Sequence, residues 1–229
     1  MKITNISDVF FDLDHTLWDF DKNSEITFGK ILSNYHPSVQ ITEFIEKYVP
    51  INQACWKLYQ FDKITHEELR YNRLKESFDA IDYVITDAQI AVIAEDYLTH
   101  LPDNNHLFDG AFEVLDYLNE RYNLHIITNG FAAVQDRKIK NAQLEDYFLT
   151  ITNSELAGVK KPNPVIFEYA LDLAKAKKEN SIMIGDSLEA DVEGALNIGL
   201  DAIFFNESNV KVASNIKQVN HLLELKKYL

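Results

Sequence analysis

The sequence contains few of the residues that cross-link or break a chain. Its single cysteine, Cys55, excludes an internal disulfide and a cysteine-based metal site, and its neighbours favour buried packing over a nucleophilic role. Only 7 glycines and 5 prolines occur in 229 residues, which excludes collagen-like and low-complexity chains. No stretch reaches the roughly 20 apolar residues of a membrane span, and acidic residues interrupt the first apolar segment, unlike in a signal peptide. We therefore expect a cytoplasmic protein with no membrane partner.

Basic residues are also scarce. The chain has 22 lysines and arginines against 36 aspartates and glutamates, which gives a formal net charge of -14. Because such a surface repels phosphate backbones, we expect no polynucleotide partner, and any anionic ligand should be small. Hydrophobic residues at 46% and charged residues at 25% are typical of a globular chain. The length suits one large domain or a core with a sizeable insertion.

Short apolar runs alternate with helical patterns along the chain, which is typical of a parallel sheet with crossover helices and predicts the α/β class. The runs lie at residues 8–13, Leu124–Thr128, Phe148–Thr152, Ser181–Gly185 and Ala202–Phe205. The spacing between them predicts three buried helix faces. These faces are Phe112, Leu115, Leu118 and Tyr122; Phe167, Ala170, Leu171 and Ala174; and Val192, Ala195, Leu196 and Gly199.

Roughly 90 residues without a clear strand separate the first two runs, far more than a crossover connection needs. Two capping-box spacings, Thr65 with Glu68 and Thr86 with Gln89, predict helix starts in this segment. We therefore expect residues 17–105 to form a helical insertion, and residues 1–16 and 106–229 to form the sheet-containing core.

Acidic residues follow two of the predicted strands. Asp12 and Asp14 end the first run, and while the chain stays extended their carboxylates should face the same way. Two carboxylates held close together call for a cation or a shared proton. Asp186 likewise follows the end of a predicted strand, and carboxylate oxygens are suitable ligands for magnesium. A solvated strand end is the alternative for Asp12 and Asp14, and a helix-dipole role is the alternative for Asp191.

Two further segments offer groups that bind phosphate. Thr128-Asn129-Gly130 lies between a strand and a helix, so a hydroxyl and backbone N–H groups meet at a positive helix end. Lys161, followed by a proline and another helix, offers a point charge for a phosphoryl oxygen. Each segment by itself is also compatible with an ordinary turn or a solvated surface.

In this order the four segments resemble the motifs of the haloacid dehalogenase superfamily: DLDHT at 12–16, TNG at 128–130, KP at 161–162 and GDSLEAD at 185–191. The resemblance implies a Rossmann-like core with an inserted helical cap. It also implies that Asp12 is a nucleophile forming an aspartyl-phosphate and that Asp14 is the general acid and base. An acid at position 14 is typical of the phosphohydrolases of that superfamily rather than of its dehalogenases.

The same resemblance implies the remaining roles in the site. Thr128 and Asn129 hold the transferring phosphoryl group, and Lys161 neutralises it and orients Asp12. The ligands of Mg²⁺ are the Asp12 carboxylate, the Asp14 backbone carbonyl and the Asp186 carboxylate. The residues with supporting roles are Asp191, which acts on the metal waters or on Lys161, Thr16 and Ser187.

The predicted cap, with Trp56, Tyr59 and Ile64-Thr65, is similar to that of bacterial 5′-nucleotidases acting on pyrimidine and noncanonical nucleoside monophosphates. Trp18 and Phe20 could stack on a nucleobase or could be hinge packing. Arg73 could pair with a substrate anion or could lie on an exposed helix face.

The leading prediction is a magnesium-dependent nucleoside 5′-monophosphate phosphatase, a monomer or homodimer. One alternative is a phosphatase of phosphoglycolate or a sugar phosphate. Another, of a different class, is a non-catalytic module that binds a phosphorylated ligand.

Overall fold

A computed structural model describes residues 2–229 and contains one six-stranded parallel sheet. The strands are β1 Asp8–Phe11, β2 Asn123–Thr128, β3 Phe148–Asn153, β4 Ser181–Gly185, β5 Asp201–Phe205 and β6 Gln218–Val219. Their order in the sheet is β3-β2-β1-β4-β5-β6. The predicted α/β class with a Rossmann-like parallel sheet is confirmed. Strand β6 was not predicted, because two residues are too few to produce a recognisable pattern.

Helices surround the sheet and fill the long insertion. In chain order they are α1 Phe20–Tyr35, α2 Ile41–Gln60, α3 His66–Asp79, α4 Asp87–His100, α5 Ala111–Asn119, α6 Ala132–Asn141, α7 Ser154–Ala157, α8 Pro164–Ala174 and α9 Gly194–Asn197. A π-helical segment, Leu188–Glu193, precedes α9. Among residues 2–229 there is no helix that combines the length and the apolar character needed to cross a membrane.

The chain divides into two compact units. The sheet unit contains the residues up to Asp19 together with His106–Leu229, and the helical unit contains Phe20–Asn105 with α1 to α4. The insertion predicted at residues 17–105 ends at the same residue as the helical unit but begins earlier, because residues 17–19 belong to the sheet unit. Both predicted capping boxes are present, at Thr65 before α3 and at Thr86 before α4.

The core of the helical unit is aromatic. The rings of Phe28 and Tyr97 stack at 4.4 Å between centroids, and those of Phe44 and Tyr48 pack at an angle to Phe28 at 5.1 and 4.6 Å. These side chains come from α1, α2 and α4, so one cluster joins three of the four helices. Burying aromatic rings contributes both apolar area and ring-ring geometry to the stability of the unit.

One core cluster of the sheet unit lies on the face that α8 covers. Phe10 and Met183 from the sheet pack with Ile166 and Phe167 from α8, and all four are fully buried. Of the predicted face, Phe167, Ala170 and Leu171 are buried, and Ala174 is partly buried against the same cluster.

The other two predicted faces contain errors. Phe112 is 44% exposed and Leu196 is 42% exposed. Helix α5 instead buries Ala111, Val114, Leu115 and Leu118, a set with i, i+3, i+4, i+7 spacing that turns Phe112 away from the sheet. Leu196 lies in α9, which directly follows the π-helical segment Leu188–Glu193, and a π-helix does not keep the regular α-helical spacing that the prediction assumed.

Strand β1 ends at Phe11, earlier than predicted. Asp12 still donates its backbone N–H to the Ile184 carbonyl at 2.9 Å, so it stays attached to the end of β4. Asp14 precedes a turn at residues 15–17, in which His15 takes a left-handed φ of 62°. Asp12 and Asp14 therefore both lie beyond the last residue of β1, and the expectation that their carboxylates face the same way stays a prediction.

Candidate active site

Three neighbouring strands bring the predicted motifs to one edge of the sheet. Asp12 follows β1, Thr128 ends β2, and Asp186 follows β4, and β1 lies between β2 and β4. Because the strands are parallel, their carboxyl ends meet at the same edge, where open α/β sheets bind ligands. The sheet topology therefore brings together residues that lie far apart in the sequence.

Lys161 lies at the centre of this edge and is 2% exposed. Its Nζ donates to Asp12 Oδ1 at 2.6 Å and to the Ile127 carbonyl at 2.7 Å, and it lies 2.7 Å from Asp191 Oδ1. Two hydrogen bonds and this ion pair with Asp191 fix the side chain. Burial lowers the pKa of Lys161, but the charges of Asp12 and Asp191 outweigh it and raise the pKa above its usual value, so the ammonium stays protonated.

The carboxylates of Asp12, Asp186 and Asp191 form an acidic group beside this lysine. One oxygen from each lies within 4.8 Å of the others. Burial raises the pKa of Asp12 well above its usual value despite the opposing charge of Lys161. Burial and the charge of Asp191 raise the pKa of Asp186 to about 8. Crowded, buried carboxylates ionise together only beside a cation, and their hard oxygen atoms fit a divalent ion such as Mg²⁺.

Asp191 is held against the end of β4. Its Oδ2 accepts from the Ser187 backbone N–H at 3.0 Å. A Cβ built on Gly185 would lie 2.2 Å from the same oxygen, so the glycine makes room for the carboxylate. Asp191 therefore contacts Lys161, as one of the two roles predicted for it required.

Thr16 and Ser187 hold the two acidic loops in place. The Thr16 hydroxyl accepts from the Asp186 backbone N–H at 3.0 Å and lies 3.3 Å from Asp186 Oδ1. The Ser187 hydroxyl accepts from the Ala190 backbone N–H at 3.1 Å and so caps the π-helical segment. Both residues act on the position of Asp186 and Asp191.

The Thr-Asn-Gly loop is joined to the lysine loop through Asn129. Its side chain accepts from the Lys161 backbone N–H at 2.7 Å and donates to the Lys161 carbonyl at 3.0 Å. Thr128 Oγ1 accepts from the Gly130 backbone N–H at 3.1 Å. The Asn129 amide thus positions Lys161, whereas Thr128 keeps its own hydroxyl hydrogen for another acceptor.

Asp14 has partners that sequence reasoning did not assign. Lys138 Nζ donates to Asp14 Oδ1 at 2.6 Å, and Gln135 Nε2 donates to Asp14 Oδ2 at 2.9 Å. Both partners lie in α6 at i, i+3 spacing, which puts them on one helix face. That spacing after the Thr-Asn-Gly loop was the available signal, but it could not show that the face is buried against Asp14.

The three residues predicted to contact substrate are all buried. Trp18 is 0% exposed, and the Lys138 ammonium lies 4.3 Å from the centroid of its ring. Phe20 is 6% exposed at the start of α1. Arg73 is 2% exposed, donates to Asn52 Oδ1 at 3.2 Å and packs on the Tyr97 ring. The alternative of an exposed Arg73 was wrong, and the substrate role of these residues stays a prediction.

Known proteins resemble this chain over most of its length. The pyrimidine 5′-nucleotidase PynA of Streptococcus pneumoniae is 33% identical over 208 residues, which cover 89% of this chain and 85% of that protein. The pyrimidine 5′-nucleotidase YjjG of Escherichia coli is 32% identical over 202 residues, covering 86% and 85%. A crystal structure of the putative HAD-hydrolase YfnB from Bacillus subtilis, bound to magnesium, matches 97% of each chain with 25% identity and a TM-score of 0.86.

The family predicted from the four motifs is confirmed. Residues 9–205 match the model of the haloacid dehalogenase-like hydrolases, a span that includes all four motifs and the whole helical unit. The motif residues meet at one edge of the sheet, and both of these 5′-nucleotidases exceed 30% identity to this chain. This chain belongs to the haloacid dehalogenase-like hydrolase family.

Proposed function

We propose that this protein is a magnesium-dependent phosphomonoester hydrolase that acts through an aspartyl-phosphate on Asp12, and that its substrate is a nucleoside 5′-monophosphate. The observation that carries the proposal is the arrangement around Asp12. Its Oδ1 is held by the buried Lys161 ammonium at 2.6 Å, beside a group of three carboxylates. A fixed nucleophile, a fixed positive charge and a cation site are the groups that phosphoryl transfer requires.

Asp12 Oδ2 is the nucleophilic atom in this proposal. Lys161 occupies Oδ1, and no hydrogen bond from residues 2–229 reaches Oδ2. Oδ2 forms a bond to phosphorus while the ester P–O bond breaks, and the substrate alcohol leaves. Lys161 stabilises the ionised form of Asp12 that this attack needs.

Asp14 transfers the protons. As a carboxylic acid it protonates the leaving alcohol oxygen in the first step. As a carboxylate it removes a proton from the water that attacks phosphorus in the second step, which releases inorganic phosphate and regenerates Asp12. Its side chain is 21% exposed, compared with 10% for Asp12, so solvent can exchange protons with it between the steps.

Mg²⁺ would be held by the carboxylates of Asp12 and Asp186 together with the Asp14 backbone carbonyl, and when bound it supplies positive charge to the phosphoryl oxygens. Asp191 stays on Lys161. Thr128 donates its hydroxyl hydrogen to a phosphoryl oxygen. The Asn129 amide holds the backbone of Lys161 in place beside the phosphoryl group. The net charge of -14 makes this local positive region necessary for any anionic substrate.

The nucleotide part of the proposal is supported by the two pyrimidine 5′-nucleotidases at 32% and 33% identity. Trp18, Phe20 and Arg73 are the proposed contacts for base and ribose, and their burial means that such contacts would require these side chains to become accessible. A small monophosphate also fits an acidic protein better than a polynucleotide does.

The test is phosphate release from a panel of phosphomonoesters by the purified protein with Mg²⁺. The panel should contain pyrimidine and purine nucleoside monophosphates, phosphoglycolate and several sugar phosphates. Nucleoside monophosphates should be the best substrates, and Asp12→Asn should abolish release while leaving the circular dichroism spectrum unchanged.

The other outcomes are equally informative. Strong release from phosphoglycolate or a sugar phosphate alone would reject the nucleotide assignment. No release from any panel member, with stabilisation by a phosphorylated ligand, would replace the enzyme by a binding module. An active Asp12→Asn variant would reject the mechanism.

A further inference from the structure

Both oxygens of the Asp14 carboxylate are occupied by side chains of α6. Lys138 Nζ lies 2.6 Å from Oδ1 and Gln135 Nε2 lies 2.9 Å from Oδ2. The two donors are 2% and 0% exposed, whereas Asp14 is 21% exposed. The two donors therefore lie in the protein interior, whereas the Asp14 carboxylate is partly exposed to solvent.

Packing holds the Lys138 ammonium where it is. The Nζ atom lies 4.3 Å from the centroid of the fully buried Trp18 ring, a cation-π distance. A buried ammonium is costly without an anionic partner, and Asp14 is its ion-pair partner. Unlike an exposed lysine, this side chain has little rotamer freedom left to lose when it binds a carboxylate.

Gln135 joins Asp14 to the phosphate-binding loop. The Nε2 atom donates to Thr128 Oγ1 at 2.7 Å as well as to Asp14. Both neighbours accept hydrogen bonds from it, which fixes the orientation of the amide. A Cβ built on Gly130 would lie 2.3 Å from Nε2, so the glycine creates the space in which the amide sits.

We propose that Lys138, together with Gln135, positions the Asp14 carboxylate for its proton transfers, and that neither residue touches the phosphoryl group. The inference rests on the proposed function, because it assigns a role in the same site. Two donors in a fixed geometry restrict rotation of the carboxylate, and Gln135 ties that orientation to Thr128. A general base must be held within hydrogen-bond reach of the water it activates.

A purely structural ion pair would have a different kinetic effect. If Lys138 only held α6 against the loop that contains Asp14, replacing Lys138 would lower the amount of active protein and would affect every substrate and every step equally. If Lys138 positions Asp14, its loss should act on the steps that need Asp14. Attack of Asp12 on an ester with a good leaving group does not need a proton, whereas hydrolysis of the aspartyl-phosphate always needs the base.

The experiment compares Lys138→Met with Lys138→Arg and with Lys140→Met, an exposed lysine of the same helix. The substrates are 4-nitrophenyl phosphate, whose leaving group departs without a proton, and uridine 5′-monophosphate, whose leaving alcohol needs one. Steady-state rates, pre-steady-state nitrophenolate release and the unfolding temperature are measured with Mg²⁺ present.

For Lys138→Met with 4-nitrophenyl phosphate, we expect kcat to fall by at least about tenfold and kcat/KM by less than about threefold, since only the second step is slowed. A burst of about one nitrophenolate per chain should precede the slow phase, because the aspartyl-phosphate accumulates. With uridine 5′-monophosphate, kcat/KM should fall as well. Lys138→Arg should keep part of the kcat that Lys138→Met loses. Lys140→Met should have the same kcat and kcat/KM as the protein without substitutions.

Several results would overturn the inference. These are a Lys138→Met variant with unchanged kcat, an equal loss of kcat/KM on both substrates without a burst, or the same loss in Lys140→Met. If Lys138→Met does not fold, Gln135→Met takes its place with the same expected burst, and its absence overturns the inference. If the protein without substitutions hydrolyses neither ester, the proposed function itself is rejected, and the inference with it.

Discussion

Lys161 Nζ lies 2.6 Å from Asp12 Oδ1, although 149 positions separate the two residues. The same ammonium lies 2.7 Å from Asp191 Oδ1, so one buried lysine joins the first and last motifs of the chain. Each of these three charges would destabilise the folded protein if it were buried without an oppositely charged partner. The ion pairs therefore make the stability of the folded sheet unit depend on the same contacts as the proposed chemistry.

Replacing Lys161 by Met should impair both stability and activity. Asp12 and Asp191 would be left buried without their cation, and loss of one partner of a buried pair costs roughly 3 kcal/mol of unfolding free energy. Activity should fall by at least about 100-fold, because a fixed charge beside the phosphoryl group is lost. Urea denaturation and phosphate release measure the two effects. Lys160→Met, a change of the neighbouring lysine, is the control, and an active Lys161→Met variant would contradict the assignment.

Stabilisation by Mg²⁺ should increase with pH. The pKa of Asp186 is raised to about 8, so the folded chain holds a proton that the unfolded chain has already lost. The metal-free protein should therefore lose stability as pH rises from about 4 toward about 8. Bound Mg²⁺ favours the ionised carboxylate and removes this loss. The rise in unfolding temperature on adding Mg²⁺ should be larger at pH 8 than at pH 6.

Asp186→Asn provides the matched variant for that measurement. The amide has similar volume but does not titrate, so both the pH dependence and the effect of Mg²⁺ should become small. An effect of Mg²⁺ that is equal at both pH values, or that persists in Asp186→Asn, would place the ion elsewhere.

Gly130→Ala should reduce activity through Gln135. The new Cβ would lie 2.3 Å from Gln135 Nε2, so the amide must move away from Asp14 and Thr128. Overpacking of this kind costs about 1–3 kcal/mol, and kcat should fall by about tenfold as general acid-base catalysis is impaired.

A double variant tests the route of this effect. In a Gln135→Ala background the clash is absent, so adding Gly130→Ala should change neither kcat nor the unfolding free energy further. Additive effects of the two changes would show that Gly130 acts through something other than Gln135.

Cys55 should be nearly inert toward thiol reagents in the folded protein. Burial raises the pKa of its thiol to about 11, and the residue is 2% exposed. At pH 8 about one thiol in a thousand would be ionised, compared with about a quarter for an ordinary cysteine of pKa near 8.5. Reaction of Cys55 with 5,5′-dithiobis(2-nitrobenzoate) should be at least about 100-fold slower in the folded protein than in urea-unfolded protein, because the ionised fractions of the thiol differ by roughly this factor. Comparable rates in the two states would refute the packing role.

Loss of the cap at the start of α3 should weaken the helical unit. Thr65 Oγ1 accepts from the Glu68 backbone N–H at 3.1 Å, and the Glu68 carboxylate accepts from the Thr65 backbone N–H at 2.7 Å. Thr65→Ala should lower the unfolding free energy by about 1 kcal/mol. Thr65→Ser keeps the hydroxyl and should have little effect, so equal losses in both variants would point to the methyl group rather than the cap.

The amino-acid sequence by itself determined the fold class, the helical insertion and the family. Alternation of short apolar runs with helical spacing requires only local order, and both capping boxes are local signals as well. The four motifs could be found for the same reason, since each occupies only a few consecutive residues. The predicted end of β1 was too late for the same reason, because the apolar run continues to Leu13 whereas the strand ends at Phe11.

Only the tertiary structure decided which side chains meet. No local pattern shows that Lys138 is buried against Trp18 and paired with Asp14. Only the structure shows that the Asn129 amide binds the backbone of Lys161, while its predicted contact with a phosphoryl group stays a prediction. Such partners lie on different strands and helices, so their distances follow from strand order and helix packing, which no stretch of consecutive residues encodes.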